Sequence, residues 1–121
     1  MRLKRRIISA LLFCAASVAS GAALAHAIIV ASTPAVGAVV AGPDIAVELR
    51  FNSRIDQERS RLTLTGPDGK AEALTMATAD APEILQAAAR GLQPGAYKLR
   101  WQVLAVDGHI TRGDIPFRIA P

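Results

Sequence analysis

Short runs in which apolar and polar residues alternate, separated by turn-forming residues, dominate this chain. Ile45, Val47, Leu49 and Phe51 alternate with Ala46, Glu48 and Arg50, the period-two signature of a strand with one buried face. Arg59 to Thr65 repeats the pattern, with Leu62 and Leu64 set against Arg61 and Thr63. Gly66-Pro67-Asp68-Gly69 then reads as a tight turn, because Pro presets φ, Asp can bond nearby backbone and Gly accepts positive φ; the chain turns back at Lys70. Tyr97, Leu99, Trp101, Val103 and Ala105 share one face and Lys98, Arg100 and Gln102 the other, which makes this the clearest core strand. A last strand runs from Ile115 to Ile119, and its Pro116, which lacks an amide donor, predicts an edge position. Pro82 to Arg90, with its alanines and Glu83, fits either a strand or a short helix. No repeat or long linker interrupts the series. About seven short strands so spaced predict an all-β fold, a Greek-key β-sandwich or barrel. Leu92-x-Pro94-Gly95-x-Tyr97 resembles a tyrosine corner, and Tyr97 and Trp101 are assigned to the core.

The start of the chain has a different composition. Arg2, Lys4, Arg5 and Arg6 precede an apolar stretch from Ile7 to Val18 and a small-residue segment ending Ala23-Leu24-Ala25, the tripartite pattern of a secretory signal. The apolar stretch is shorter than the roughly 20 residues a membrane span needs. Leu12 and Phe13 precede Cys14 where a lipoprotein would carry small residues, so Cys14 is expected to leave with the signal. Cleavage after Ala25 divides the chain into a signal, 1–25, and a single domain, 26–121, whose first residue is His26. Four of the fourteen Lys and Arg residues lie in the signal, so the remaining ten balance the ten Asp and Glu and the formal charge falls from +4 to zero. Net charge therefore gives no argument for nucleic acid or for an acidic membrane surface. With no cysteine after residue 25, stability rests on the core or on a bound metal rather than on a disulfide.

The candidate chemistry is concentrated in few residues. His26 and His109 are the two histidines of the chain. A histidine at a free N-terminus offers its α-amine and Nδ1, which close a six-membered chelate on one metal. A second imidazole and a carboxylate then complete a tetragonal N/O set of the kind copper(II) prefers. Asp107-Gly108-His109 follows the long core strand, where the glycine lets the backbone bend so that both flanking side chains face one point. The spacing permits such a site without requiring it, since Asp-Gly is also an ordinary turn and a lone surface histidine is usually solvated. Structural zinc favours cysteines and four firm ligands, which the domain lacks.

On these residues the sequence resembles the CopC family of periplasmic copper-binding proteins. The resemblance spans residues 26–121. It rests on His26-Ala27, Ser32-Thr33-Pro34-Ala35-x-Gly37, Val47-Glu48-Leu49-Arg50-Phe51, Leu92-x-Pro94-Gly95-x-Tyr97-x-x-x-Trp101, and Val106-Asp107-Gly108-His109 followed by Gly113 and Phe117. It implies a seven-stranded cupredoxin-like or immunoglobulin-like Greek-key barrel that binds copper(II) through His26, Asp107 and His109. Two departures stand out. Some members hold copper(I) on a Met-rich loop, whereas Gly66 to Met76 offers Met76 alone, so no copper(I) site is expected. Many members also place an acidic residue just after the second strand's Phe, where this chain reads Asn52-Ser53, leaving open whether Ser53 or water takes over that contact.

The function so implied is that of a non-catalytic periplasmic copper(II) carrier or buffer, monomeric and not membrane-embedded. Its receiving partner would be an inner-membrane copper transporter of the CopD type. Two rivals come from other classes. An amine-plus-imidazole copper chelate is also the reactive unit of polysaccharide monooxygenases, although those present exposed aromatics that this chain lacks. A metal-free β-sandwich interaction module would follow if cleavage fell elsewhere and the N-terminal chelate never formed.

Overall fold

The computed structural model describes residues 27–121; the predicted signal with its Cys14, and His26 itself, lie outside them. Nine strands form in order: β1 (Ile29–Thr33), β2 (Val39–Val40), β3 (Ile45–Phe51), β4 (Ile55–Thr65), β5 (Ala71–Ala73), β6 (Met76–Ala77), β7 (Ile84–Ala89), β8 (Gly95–Ala105) and β9 (Ile110–Ile119). They make two sheets, β1-β3-β7-β6 and β2-β9-β8-β4-β5. Strands adjacent in sequence repeatedly cross between the sheets, as in β1 to β2, β2 to β3, β3 to β4 and β7 to β8, so the product is a β-sandwich. The count exceeds the expected seven because β2 and β6 are two-residue strands too short to show any alternation.

The period-two pattern decides what is buried. Val47, Leu49 and Phe51 of β3 face Leu62 and Leu64 of β4, the five alternate residues from Tyr97 to Ala105 of β8, and Ile115, Phe117 and Ile119 of β9 in one continuous core. Each large apolar side chain removed from water there contributes about 1.5–3 kcal/mol. Phe51 meets Trp101 edge to face, with ring centroids 5.4 Å apart, and Tyr97 stacks on Phe117 at 5.6 Å. The Tyr97 hydroxyl donates to the Gln93 carbonyl at 2.8 Å, which is the tyrosine corner read from the sequence. The Gly66–Gly69 turn also forms, with the Gly69 amide donating to Gly66 O at 3.0 Å and the Lys70 amide to Asp68 Oδ1 at 3.0 Å.

Two local expectations change. Pro82 to Arg90 resolves to strand β7, because Ile45 to Arg50 of β3 pair with Ala89 to Ile84 along its length, and this ladder overrides the helical preference of the alanines. Small Ala87 and Ala89 turn inward there, while Ala88 is exposed. Pro116 is not on an edge strand, since β9 lies between β2 and β8. Its carbonyl accepts the Gly37 amide at 2.7 Å on the side away from β8, and the amides of Arg118 and Ala120 donate on the same side to Ala38 and Val40. The missing Pro116 donor therefore points toward the loop before β2, and the β8 ladder loses nothing.

Gly113 is where the core leaves no room. It pairs with Trp101 across β8 and β9, and a Cβ built on it would lie 2.5 Å from the indole Cζ2 and 2.6 Å from Cε2. Gly113→Ala is expected to cost about 1–3 kcal/mol in denaturant unfolding. That cost should shrink in a Trp101→Phe background if the indole is what the methyl strikes; an equal cost in both backgrounds would show otherwise.

Candidate metal centre

The longest ladder of the molecule delivers the candidate residues. β8 and β9 pair from Gly95↔Ile119 to Leu104↔Ile110, and the chain reverses between them at Val106-Asp107-Gly108-His109. The Gly108 amide donates to Ala105 O at 2.9 Å and the Ala105 amide to His109 O at 2.8 Å, closing the turn. Gly108 takes φ +93°, a conformation that side chains rarely adopt. Asp107 Oδ1 accepts the His109 amide at 3.1 Å, an Asx-type bond that holds the carboxylate over the turn. As expected from the sequence, the two flanking side chains then meet: His109 Nδ1 lies 3.1 Å from Asp107 Oδ2, with both side chains open to solvent.

Electrostatics favour the ionised carboxylate. The backbone amide of His109 is the main reason that Asp107 titrates below the ordinary aspartate value; partial desolvation opposes this, while the His109 ring adds its hydrogen bond and charge. Among the described residues no group of three or more His, Cys, Asp or Glu side chains comes together. The turn thus supplies two donors, Asp107 and His109. Thr111 Oγ1, two residues beyond His109 on the inward face of β9, is buried without a hydrogen-bond partner among the described residues.

The third predicted residue, His26, lies outside the described residues, but the chain that follows it is firmly seated. Ala27 is fully buried in the core. The Ile28 amide donates to Asn52 Oδ1 at 2.9 Å, and the Asn52 amide donates to Ile28 O at 2.9 Å. Asn52 begins the short connection from β3 to β4, and Ile55 at its far end pairs with Ala105, the last residue before the Asp107 turn. One connection therefore links the segment just after His26 to the base of that turn. β1 itself pairs with β3 in the other sheet. The only sequence signal for Asn52 is its place directly after the buried Phe51. Ser53, half-buried, sits in the same connection.

Comparison with known proteins agrees with this fold. A family profile described as the CopC domain matches residues 29–120. Copper resistance protein C of Xanthomonas campestris pv. juglandis is 31% identical over 123 residues, covering 95% of this chain and 96% of that protein. The crystal structure of CopC from Methylosinus trichosporium OB3b superimposes with a TM-score of 0.69 and 32% identity, covering 79% of this chain and 95% of that one. PcoC, described as a methionine-rich copper resistance protein from Escherichia coli, gives 0.65 and 25% over 78% and 99% of the two chains.

Two outcomes follow from the geometry of this pole. Asn52→Ala should leave the fold intact but speed hydrogen exchange of the Ile28 amide, whereas Asn52→Asp, which keeps the acceptor, should preserve its protection. In an NMR titration the Asp107 carboxyl should have its midpoint below 3.8, and His109→Ala should raise it only part of the way back, because the backbone donor remains.

Proposed function

The chain belongs to the CopC family, and from that membership we propose that it is a periplasmic copper(II)-binding protein that carries or buffers copper in homeostasis or resistance. Residues 1–25 are its secretory signal and 26–121 its functional domain. The ion is held by the N-terminal amine and Nδ1 of His26 together with Asp107 and His109. Copper here is cargo, passed on by a monomer to an inner-membrane transporter of the CopD type. The names of the Xanthomonas and Escherichia coli relatives, both copper resistance proteins, support copper as the metal.

The observation that carries this reading is the 3.1 Å approach of Asp107 Oδ2 to His109 Nδ1 on a turn fixed by Gly108. Two donors at right angles on one ion, each about 2.0–2.1 Å from it, lie about 2.9 Å apart, so the pair is already spaced as neighbours in a tetragonal set. A proton bridges the two when the metal is absent, and the metal takes its place. The lowered Asp107 keeps its charge at neutral pH, so protons compete weakly for that donor. Two donors leave half of a four-donor set to be filled, and the seating of Ala27 and Ile28 supports His26 as the source of the amine and imidazole that fill it. The unpartnered Thr111 hydroxyl supports a polar occupant at this pole. Met76 packs against the core beside β7, which supports a copper(II) rather than a copper(I) protein. Tyr97 and Trp101 are buried core residues and give no support to a monooxygenase that grips glycans with exposed aromatics.

Copper(II) titration read by electron paramagnetic resonance tests the site. A chain beginning at His26 should bind one equivalent with a nitrogen-rich tetragonal spectrum. One extra residue before His26 should weaken binding by more than the roughly 10–100-fold that loss of an outer-shell partner costs. His109→Ala should change the spectrum and weaken binding more than Asp107→Ala does. Equal affinity of the extended and exact chains would refute the chelate, and an unchanged spectrum in His109→Ala would refute the turn.

A further inference from the structure

The outer face of the five-stranded sheet carries charge that the overall balance hides. Residues opposite one another on antiparallel strands share a face, so the exposed rows across β4, β8 and β9 are Arg61–Gln102–Arg112, Thr63–Arg100–Asp114 and Thr65–Lys98–Pro116, with Ala96–Arg118 beyond. Five cations, Arg61, Lys98, Arg100, Arg112 and Arg118, stand here against one carboxylate, Asp114, which Arg100 engages at 3.3 Å. These five are half of all the cations after residue 25. The bulge of β4, with Asp56, Glu58 and Arg59, closes the block on one side, and Arg59 pairs with Asp56 at 3.5 Å. Strands lie about 4.8 Å apart and same-face neighbours along a strand about 7 Å apart, so these like charges repel one another within the sheet.

We infer that this basic face docks the protein on an anionic lipid surface, with the Asp107–His109 turn at the margin of the contact. The hollows around Gly66–Lys70, Gly42 and Pro43, Met76, and Pro34 are lined by none of the five cations. The face has no aromatic anchor of the kind that centres a protein–protein interface, and its charges sit at the ends of long, mobile side chains. Such an array suits a planar layer of phosphates that can adjust to it, where each cation near the surface raises partitioning about fivefold. The next row of the same face is Asp56–Leu104–Ile110, which carries a carboxylate already paired with Arg59 and runs into the turn. Ile110 and Val106 are 50% and 69% exposed there, so apolar side chains that can enter the interfacial layer flank Asp107 and His109. Docking by this face would hold the metal turn beside the membrane, where a membrane-embedded acceptor opens.

The test uses the chain from residue 26, which contains all the described strands and their core, in co-sedimentation with phosphatidylcholine vesicles with and without phosphatidylglycerol. Wild type should sediment with the anionic vesicles alone and should be released as salt shortens the Debye length from about 10 Å to about 3 Å. Arg61→Gln/Lys98→Gln/Arg112→Gln should weaken partitioning by at least about tenfold. Arg50→Gln/Lys70→Gln/Arg90→Gln, which removes equal charge from elsewhere, should keep it. Lys98→Glu/Arg118→Glu, which disturbs neither the Gln102 nor the Asp114 contact, should reproduce the loss and separate charge from folding. Equal behaviour of the two triple variants would overturn the inference, as would wild type that ignores anionic vesicles. Retention on immobilised polyglutamate without vesicle binding would overturn it in favour of an acidic polypeptide partner. None of these readouts needs copper, so their failure is distinct from failure of the metal site.

Discussion

The pairing of β8 with β9 is the constraint on which the rest of the molecule depends. It runs without a break from Gly95↔Ile119 to Leu104↔Ile110 and assigns every residue of both strands to a face. A slip of one residue would send Tyr97, Leu99, Trp101 and Val103 to solvent and bring Lys98 and Arg100 inside. The fit of Trp101 over Gly113 helps to fix the register, since the indole lies where any other residue would place its Cβ. The same register closes the turn that presents Asp107 beside His109. Core, turn and outer face are therefore three consequences of one ladder, and a residue that sets the ladder can act on the proposed metal-binding turn without approaching it.

The pole bearing that turn is organised differently from the core. Its donors are exposed and are held by short-range bonds: the Asx-type contact of Asp107, the two bonds that close the hairpin, and the reciprocal pair between Ile28 and Asn52. Exposed ion pairs such as Arg50–Glu83 and Arg100–Asp114 add little stability, typically under about 1 kcal/mol, so the burden falls on apolar burial. A rigid sandwich with an open, pre-shaped end suits the proposed uptake and release of an ion. The open end allows exchange, while the packed body keeps the donors from drifting apart. Asn52, directly after the buried Phe51, ties down the chain that follows His26.

How much of this was legible in the sequence varies with the physics involved. Alternation of apolar and polar residues exposed the long strands and the inward face of Tyr97 and Trp101, because a half-buried strand must repeat every two residues wherever it lies, while local turn chemistry exposed the Gly66–Gly69 turn and the tyrosine corner. The Asp107-Gly108-His109 turn was legible for the same kind of local reason: glycine reaches φ +93° readily, and an aspartate two residues before an amide can bond to it. Outside local reach the sequence was silent. β2 and β6 are too short to carry a period, β7 is a strand because β3 lies beside it, and Pro116 is tolerated away from an edge because its missing amide donor faces a loop. The link from Ile28 through Asn52 to Ala105 joins positions far apart in the chain. The basic face exists only once β4, β8 and β9 are side by side, since a balance of ten cations and ten anions says nothing about which side of a sheet each occupies. The sequence by itself determined periodicity, turn chemistry and the inventory of donors. The tertiary structure alone decided which of these became neighbours, because pairing between distant strands is governed by burial and hydrogen bonding of the whole sheet rather than by any residue's own preference.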